Sequence, residues 1–174
     1  MLRRLSIAAA LSVGLGAGAL FWTNRETAHL PEHPKVDLLV VEKGAHRLSA
    51  YSHGQLLKVY SVSLGRNPIG AKTREGDRRT PEGRYLIDRH VPASTFHRAL
   101  HISYPSPSDI ARARQAGYAP GGDIMVHGIR NGLGWVGRTH LVLDWTVGCI
   151  AVTDPEIEEL YRAVPDGTPI EIRP

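Results

Sequence analysis

The sequence predicts a mixed fold made mostly of β-strands with few helices (α+β), contained in one domain. Its 174 residues are about the length of a single domain with one hydrophobic core. Glycine (18 residues) and proline (12 residues) are frequent and scattered, which favours an architecture rich in turns over a helix bundle. With 42% hydrophobic and 22% charged residues, the composition excludes a disordered chain, a collagen-like repeat and a membrane protein with several spans.

The first 22 residues are predicted to be a signal peptide or an N-terminal membrane anchor. Two arginines precede residues 5–22, an apolar stretch without a charge, and this pattern is recognised by the secretion machinery. Small residues at 17–19 suit cleavage, whereas Phe21 and Trp22 are typical of an interfacial anchor, so both alternatives stay open. The polar segment 23–35 contains two prolines and is expected to be a linker. The protein is therefore predicted to be exported, to the periplasm or the cell envelope.

Residues 36–174 are predicted to form the domain, which begins with a meander of β-hairpins. Three runs rich in apolar and β-branched residues are separated by Lys43-Gly44 and His53-Gly54, which are typical turn sequences. A stretch without apolar periodicity follows at 66–83 and is expected to be a long loop. The predicted strands span residues 36–42, 46–52, 56–64, 84–90, 99–104, 123–128 and 169–173.

Two helices are predicted among the later strands. The first spans 107–116, because Ser106 and Pro107 are typical of a helix start and Gly117 is typical of a helix end. The second spans about 155–163, where Thr153 and Glu156 have the spacing of a capping box. Both helices are short, so β-structure dominates the predicted domain.

The charge pattern argues against a nucleic-acid partner. The formal net charge is +4, a mild excess that suits an anionic polymer such as a cell wall as well as it suits nucleic acid. Arginines between residues 66 and 89 are interleaved with carboxylates, and no aromatic platform for bases accompanies them. We therefore expect no nucleic acid as a partner, and the sequence carries no indication of the oligomeric state.

No cofactor or metal site is predicted. Residues 132–137, GLGWVG, match the glycine pattern of dinucleotide-binding proteins, but such a site requires a helix directly after the pattern. The following RTHLVLDWT has no helical periodicity, so a flexible loop is predicted here. The pairs His29/His33 and His97/His101 lack the glutamate of a zinc-protease motif and are interpreted as surface histidines.

Cys149 and His127 are the candidates for catalysis. Cys149 is the single cysteine, and the preceding Gly148 allows a substrate carbonyl to approach it closely. A thiol with a pKa of about 8.5 needs a neighbouring base or cation to act as a nucleophile at neutral pH, and His127, at the end of a predicted strand, suits that role. His140 has the same chemistry, and spacing does not decide between the two. Chemistry alone also leaves open that Cys149 is a small buried hydrophobic residue.

Three segments of the chain resemble the L,D-transpeptidases, the cysteine enzymes of bacterial cell walls. HGIRNGLGWVGRTHLVLDWTVGCIAV (127–152) is similar to the signature of that family, which runs from a histidine to Ser/Thr-His-Gly-Cys before a helix. GDRRTPEGRY (76–85) is similar to its Thr-Pro-x-Gly-aromatic segment, and KGAHRLSAY (43–51), which leads to VSLGRNPIGAK, is similar to its opening. The resemblance spans roughly residues 36–174.

The resemblance implies a β-sandwich-like catalytic fold with the cysteine in a cleft before a helix. It implies that Cys149 attacks a carbonyl of the tetrapeptide stem of peptidoglycan, with His127 as its proton partner. The thioester would then pass to an amine, which gives a cross-link or an attached protein, or to water. A hydrolase that uses the same site and a catalytically idle wall-binding module are the alternatives.

Further site residues are expected around the cysteine. Gly148 and Thr146 are expected to contribute to binding of the substrate or of the oxyanion, together with backbone amides near Cys149. Two positions depart from the common signature, because Val147 stands where it has a second histidine and Ala151 stands where many members have arginine or asparagine. The missing cation suggests that Arg130 or Arg138 binds the carboxylate of the substrate instead.

Overall fold

The described part of the chain, residue 30 and residues 35–174, forms a curled eight-stranded sheet with two α-helices and one 3-10 helix. The coordinates are those of a computed structural model. Across the sheet the strands follow the order β3-β2-β1-β8-β4-β5-β6-β7. In chain order the elements are β1 (Leu38–Glu42), β2 (Arg47–Ser52), β3 (Gln55–Ser61), β4 (Gly83–Ser94), β5 (His97–Ile102), α1 (Pro107–Gln115), β6 (Met125–His127), the 3-10 helix (Gly134–Val142), β7 (Ile150–Ala151), α2 (Asp154–Ala163) and β8 (Pro169–Arg173).

The first three strands form the antiparallel meander that the sequence predicts. β1 pairs with β2, and β2 pairs with β3. Turn residues at the two junctions have a positive φ, which is 49° for His46 and 76° for Gly54, as tight hairpin turns require. The last strand, β8, runs parallel to β1 on its other side. The beginning and the end of the domain therefore meet in the sheet.

The long strand β4 joins the two halves of the sheet. Residues 83–86 pair with β8, and the following residues pair with β5. The pairing with β5 shifts its register between Ile87 and Arg89, and such irregularities increase the local twist of a strand. β5 then pairs with β6, and β6 pairs in parallel with β7.

The sheet curls until the chain after β3 reaches β7. Ser63 and Ala151 exchange two backbone hydrogen bonds of 3.0 and 2.8 Å. The amide of Thr146 donates to the carbonyl of Leu64 over 3.1 Å, and its carbonyl accepts from Arg66 over 3.0 Å. The segment 146–151, which contains Cys149, is thus held between β6 and residues 63–66.

The hydrophobic core fills the inside of the curled sheet. Helix α2 covers it with Ile157 and Leu160 and packs against β5 and β6. The sheet itself contributes fully buried side chains from both halves, among them Leu39, Leu48, Tyr60, Ile87, Leu100 and Ile150. This packing fixes the strands that carry the candidate site.

The predicted fold class and most of the predicted elements are confirmed. Each predicted strand and both helices are present, with ends that differ by a few residues. The predicted flexible loop at 132–137 is wrong, because the 3-10 helix Gly134–Val142 begins within it and changes direction at Gly137. The short strand β7 was not predicted. His101 is not a surface histidine, since its side chain is buried in β5 with Nδ1 2.6 Å from the carboxylate of Asp88.

The N-terminal predictions fall largely outside the described residues. These are the signal peptide or membrane anchor at 1–22, the histidines His29 and His33, and most of the linker 23–35. Within residue 30 and residues 35–174, no helix is both long enough and apolar enough to cross a membrane. Leu30, from the predicted linker, packs into the core, and its amide donates to the carboxylate of Glu159.

Candidate active site

A cavity of about 690 Å³ lies beside β6 and β7. Most of its wall is apolar, and the side chains that form it include Phe96, Ile129, Leu133, Val136, Trp145 and Val147. Polar side chains reach it at a few points, among them Arg66, His127, Arg130, His140, Thr146 and Cys149. An apolar cavity with a few convergent polar groups is typical of a substrate-binding site.

The register of β6 and β7 brings Cys149 and His127 to the same cavity. The two strands are parallel, with Val126 opposite Ile150 and His127 opposite Ala151. Cys149 precedes β7 by one residue and therefore lies beside Met125. Because side chains two residues apart along a strand point to the same side of a sheet, the thiol and the imidazole share one face.

The structure holds Cys149 as a neutral thiol. Its Sγ donates to the carbonyl oxygen of Asp123 over 3.6 Å, and the side chain is half-buried. Burial raises the pKa of this thiol above its ordinary value, and the Met125 amide and the Lys72 ammonium oppose that shift only in part. The sulfur therefore needs a base that removes its proton before it can act as a nucleophile.

His127 has the hydrogen bonding of a general base. Its ring is buried, and Nδ1 lies 2.7 Å from the carbonyl oxygen of Gly128. Since a carbonyl only accepts, Nδ1 carries the proton and Nε2 carries the lone pair. The rings of Phe96 and Trp145 contact the imidazole at centroid distances of 4.5 and 5.7 Å and contact each other at 5.8 Å. Burial lowers the pKa of His127 to about 4, so the ring is neutral at pH 7 and able to accept a proton.

His140, the other histidine of the cavity wall, has its ring held differently. Its Nδ1 accepts the indole N–H of Trp145 over 3.3 Å, and the hydroxyl of Ser63 donates to its backbone carbonyl over 2.9 Å. The ring is buried, and Nε2 has no hydrogen-bond partner among the described residues. Burial, with smaller effects of His127 and Arg138, lowers the pKa of His140 to about 4.

The hydroxyl of Thr146 organises the backbone before the cysteine. It donates to the carbonyl oxygen of Cys149 over 2.8 Å and accepts the amide of Gly148 over 3.1 Å. The Gly148 amide is therefore already hydrogen-bonded to Thr146, whereas we expected it from the sequence to bind the oxyanion. The amide of Cys149 makes no hydrogen bond to any residue that the structure describes, so it is the available donor at this point.

Gly148 is needed because the chain approaches the loop 66–82 too closely for a side chain. Its φ is 137°, and a Cβ at this position would lie 2.7 Å from the carbonyl oxygen of Arg79. Gly65 meets the same loop, since a Cβ there would lie 2.2 Å from the carbonyl oxygen of Arg78. The loop that ends in the Thr-Pro motif is thus packed against the cysteine segment and against Gly65, which pairs with that segment at Thr146.

The arginines differ in their relation to the cavity. Arg130 is exposed and lines it, and Arg66 lines it with its Nε donating to the carbonyl oxygen of Trp145 over 3.1 Å. Arg138 is not among the lining residues. Its guanidinium lies 3.2 Å from the carboxylate of Glu156, near the start of α2. Of the two arginines that the sequence suggested, the structure brings only Arg130 to the cavity.

Asp154 anchors the loop that follows His127. This residue begins α2, and its carboxylate accepts the amide of Ile129 over 2.7 Å. Cβ atoms at Gly128 and Gly134 would lie 2.7 and 2.2 Å from the two oxygens of that carboxylate, so a side chain at either position would have to displace it. Asp154 thereby holds the peptide group after Gly128, and the start of the 3-10 helix lies against its carboxylate.

The family sequence model of the L,D-transpeptidase catalytic domain (YkuD) matches residues 37–172 of this chain. The chain belongs to this family. The predicted resemblance is therefore confirmed. One relative is the putative L,D-transpeptidase YafK of Escherichia coli strain K12, which is 30% identical over 112 residues, 63% of this chain and 38% of that protein. This chain thus corresponds to well under half of that relative.

Solved structures of L,D-transpeptidases and of other bacterial proteins share the fold. The helical cell shape determining protein Pgp2 from Campylobacter jejuni has a TM-score of 0.58 at 23% identity, over 88% of this chain and 53% of that one. Bd1075 from Bdellovibrio bacteriovorus has a TM-score of 0.56 at 20% identity, over 83% and 50%. An L,D-transpeptidase from Mycobacterium smegmatis has a TM-score of 0.51 at 16% identity, over 79% and 58%. At these identities the likeness shows the L,D-transpeptidase catalytic fold.

The two departures from the family signature have different surroundings. Val147 is 68% exposed at the cavity, so a histidine side chain would fit there without repacking. Ala151 is fully buried in β7, between His127 and Ser63, so an arginine there would have to displace core side chains. Phe96, Trp145, Arg66 and Asp154 were not predicted as site residues. Trp145 lies within the family signature and Arg66 within the opening segment, but neither is a marked position of these motifs, and Phe96 and Asp154 lie outside them.

Proposed function

We propose that this L,D-transpeptidase family member is a cysteine acyltransferase that acts on peptidoglycan stem peptides. One observation carries the proposal: Cys149 and His127 stand on paired parallel strands and line a single cavity. The family to which residues 37–172 belong supports the substrate class. The acyl donor in this proposal is a tetrapeptide stem, and the acceptor is an amine.

The first half-reaction forms a thioester. Nε2 of His127 takes the proton of the Cys149 thiol, and the sulfur attacks the carbonyl carbon between the third residue of the stem and D-alanine. The oxyanion then accepts a hydrogen bond from the backbone amide of Cys149, which is the preorganised donor that such an intermediate needs. When the C–N bond breaks, His127 gives its proton to the leaving amine of D-alanine, and the acyl group stays on sulfur.

The second half-reaction transfers the acyl group. The acceptor amine attacks the thioester carbonyl and gives a proton to His127. The C–S bond breaks, the sulfur regains its proton from His127, and a new amide is released. Water in place of the amine would give hydrolysis through the same steps, so the two activities differ only in the acceptor.

The starting charges of the pair define the role of His127. Burial raises the pKa of the Cys149 thiol and lowers that of His127 to about 4, so at pH 7 both groups are neutral. The imidazole therefore acts as a base during the attack rather than as the cation of a preformed ion pair. The thiol, which donates to the Asp123 carbonyl, has to turn toward His127 as the substrate binds.

Two cations are placed to bind an acidic group of the substrate. Arg130 and Arg66 both line the cavity, whose remaining wall is mostly apolar. A guanidinium binds a carboxylate through paired hydrogen bonds, and the termini and side chains of stem peptides carry carboxylates. We assign this role to Arg130 with Arg66, rather than to Arg138, which is bonded to Glu156.

The proposed site of action is the cell envelope. Residues 1–22 have the charge and hydropathy pattern of an export segment, and the proposed substrate lies outside the cytoplasmic membrane. A fusion of residues 1–40 to a reporter that is active only after export tests this. A signal equal to that of an untargeted reporter would contradict it, and the size of the exported product distinguishes a cleaved signal peptide from a retained anchor.

The activity is tested by incubating the full-length chain with a tetrapeptide stem, with and without an acceptor amine, and weighing the products. A cross-linked product that requires the amine supports the transferase. A tripeptide as the sole product, whether or not the amine is present, would assign the chain to the hydrolases. Unchanged stem in both reactions would contradict both and favour a wall-binding module. Cys149→Ala is the matched control.

A further inference from the structure

His140 is a buried titratable residue that the proposed reaction does not use. It lies at the end of a short chain of aromatic contacts that begins at the candidate base. The ring of His127 meets the ring of Trp145 at 5.7 Å and 65°, and Trp145 meets His140 at 6.2 Å and 81°. Trp145 therefore stands between the two histidines and touches both.

The hydrogen bonds of His140 determine its tautomer. The indole N–H of Trp145 only donates, so Nδ1 of His140, 3.3 Å away, accepts and carries the lone pair. The hydroxyl of Ser63, which is also 3.3 Å from Nδ1, gives its hydrogen to the backbone carbonyl of His140. The ring proton of neutral His140 is therefore on Nε2, which is buried and has no partner in the described part of the chain.

We propose that His140 is a positioning residue, whose Nδ1 holds the Trp145 indole against the ring of His127. The inference rests on the proposed function for its consequence, since it makes His140 necessary for rapid acylation of Cys149. It also gives a role to the histidine that competes with His127 in the sequence.

Among the described residues, the Trp145 indole has one polar partner, His140, besides its packing against the ring of Phe96 at 5.8 Å. The backbone carbonyl of Trp145 is held by Arg66, whereas the indole N–H is bonded to His140. The indole lines an open cavity, so without His140 it would gain solvent hydrogen bonds by swinging out. His127 would then keep its contact with Phe96, at 4.5 Å, and lose its contact with Trp145.

His140 itself is not placed to be the base. Its lone pair faces Trp145, and its other ring nitrogen carries a proton that points to no described acceptor. The charged and titratable groups near it are His127 on β6 and Arg138 on the 3-10 helix. Burial, with smaller effects of these two residues, disfavours a positive charge on His140, so its Nδ1 remains an acceptor at neutral pH.

Two substitutions distinguish the role of Nδ1 of His140 from that of Nε2. His140→Asn places an amide oxygen near the position of Nδ1, so it keeps an acceptor for Trp145. His140→Gln places its amide near the position of Nε2 and leaves the indole without an acceptor at the right place. His140→Phe removes both. His53→Asn, at a histidine whose side chain is 94% exposed, is the matched control on the surface.

We expect His140→Asn to acylate Cys149 at a rate within about threefold of the wild type, and His140→Gln and His140→Phe to lose at least about tenfold. Trp145→Phe should give the same loss, and the double variant with His140→Phe should be no slower than Trp145→Phe alone, because the two residues act as one unit. Melting temperatures identify any variant that fails to fold, and the remaining variants then carry the test.

A readout without turnover distinguishes this inference from the proposed function. The ring ¹⁵N resonances of His127 in the full-length chain report which nitrogen carries the proton. We expect the Nδ1–H form in all of these proteins, because the Gly128 carbonyl accepts that proton. The ring resonances should coincide in the wild type and His140→Asn and be displaced in His140→Gln and His140→Phe, in which the indole no longer contacts the ring. If the spectra change in this way but the wild type transfers no acyl group, the positioning role of His140 is upheld and the proposed function is contradicted.

Two results would overturn the inference. The first is fast acylation of Cys149 in His140→Gln together with slow acylation in His140→Asn, which would show that Nε2 of His140, not Nδ1, is the nitrogen that matters. The second is an unchanged ring spectrum of His127 in His140→Phe and Trp145→Phe.

Discussion

The Nδ1 atom of His127 donates to the carbonyl oxygen of Gly128 over 2.7 Å, which leaves Nε2 as the basic nitrogen. The peptide group that carries this carbonyl is held by Asp154, whose carboxylate accepts the amide of Ile129 over 2.7 Å. The tautomer of the candidate base thus depends on a contact between the loop after β6 and the start of α2.

Replacing His127 by Asn or by Gln should lower the rate of Cys149 acylation by about 100-fold or more, the usual contribution of a general acid–base residue. Asn keeps a donor for the Gly128 carbonyl, and Gln keeps an amide near Nε2, but neither accepts a proton at neutral pH. The acylation rate is measured by rapid mixing with the stem peptide. A His127→Asn variant as fast as the wild type would show that the ring only orients the loop.

Gly148→Ala should destabilise the fold and slow acylation. Its Cβ would lie 2.7 Å from the carbonyl oxygen of Arg79 at a φ of 137°, so the cysteine segment or the loop 66–82 has to move. We expect a loss of about 1–3 kcal/mol in the free energy of unfolding, measured by urea denaturation.

Gly132→Ala is the matched control for this substitution. Gly132 has a φ of 84°, and a Cβ there would meet no atom within 4 Å, so only the cost of the backbone conformation remains. Equal effects of the two substitutions on stability and on acylation would contradict the importance of the Arg79 contact.

Thr146→Val should be more harmful than Thr146→Ser. The buried hydroxyl of Thr146 bonds both the carbonyl of Cys149 and the amide of Gly148, and valine leaves both groups without their partner. The expected loss is about 2 kcal/mol in the free energy of unfolding, with a slower acylation, whereas serine keeps the hydroxyl. If valine and serine unfold at the same urea concentration, the hydroxyl does not hold this segment.

The free energy of unfolding should fall as the pH falls from 7 to 5. Burial lowers the pKa of His127 and of His140 from the ordinary 6.5 to about 4. Between these values the unfolded chain binds protons that the folded chain does not, so the stabilisation is complete above about pH 6.5 and is lost as the pH falls toward 4. We expect a loss of about 2 kcal/mol for each histidine between pH 7 and pH 5.

His140→Phe tests the origin of that dependence. The variant should lose roughly half of the change in unfolding free energy between pH 7 and pH 5, measured by urea denaturation at the two values. Carboxylates titrate mainly below this window, so they do not obscure it. A variant with the full dependence of the wild type would show that His140 is not buried as a neutral ring.

The parts of the fold that follow local rules could be predicted from the sequence. Residues 36–64 alternate apolar runs with turn pairs, and both helices carry their own caps, so strands, hairpins and helices follow from neighbouring residues. The 3-10 helix Gly134–Val142 has no such local signal. Its first residue lies against the carboxylate of Asp154, a contact between residues 20 positions apart that no periodicity indicates.

The candidate site divides in the same way. Cys149 and His127 stand in a family signature, so the sequence singles them out. Phe96 joins them only because β5 pairs with β6, whereas Trp145 lies within the signature but has no catalytic group that singles it out. Arg138 was a reasonable candidate by position along the chain, but its partner Glu156 also belongs to the cap of α2 and draws it away from the cavity.

The central claim is that Cys149 carries the acyl group. The most direct test is the intact mass of the full-length chain after brief incubation with a tetrapeptide stem and an acid quench, without an acceptor amine. We expect an added mass equal to the tripeptide acyl group on the wild type, located on the peptide that contains Cys149. We expect no added mass on folded Cys149→Ala. The same adduct on Cys149→Ala, or stem turnover by that variant at the rate of the wild type, would show that Cys149 is not the nucleophile.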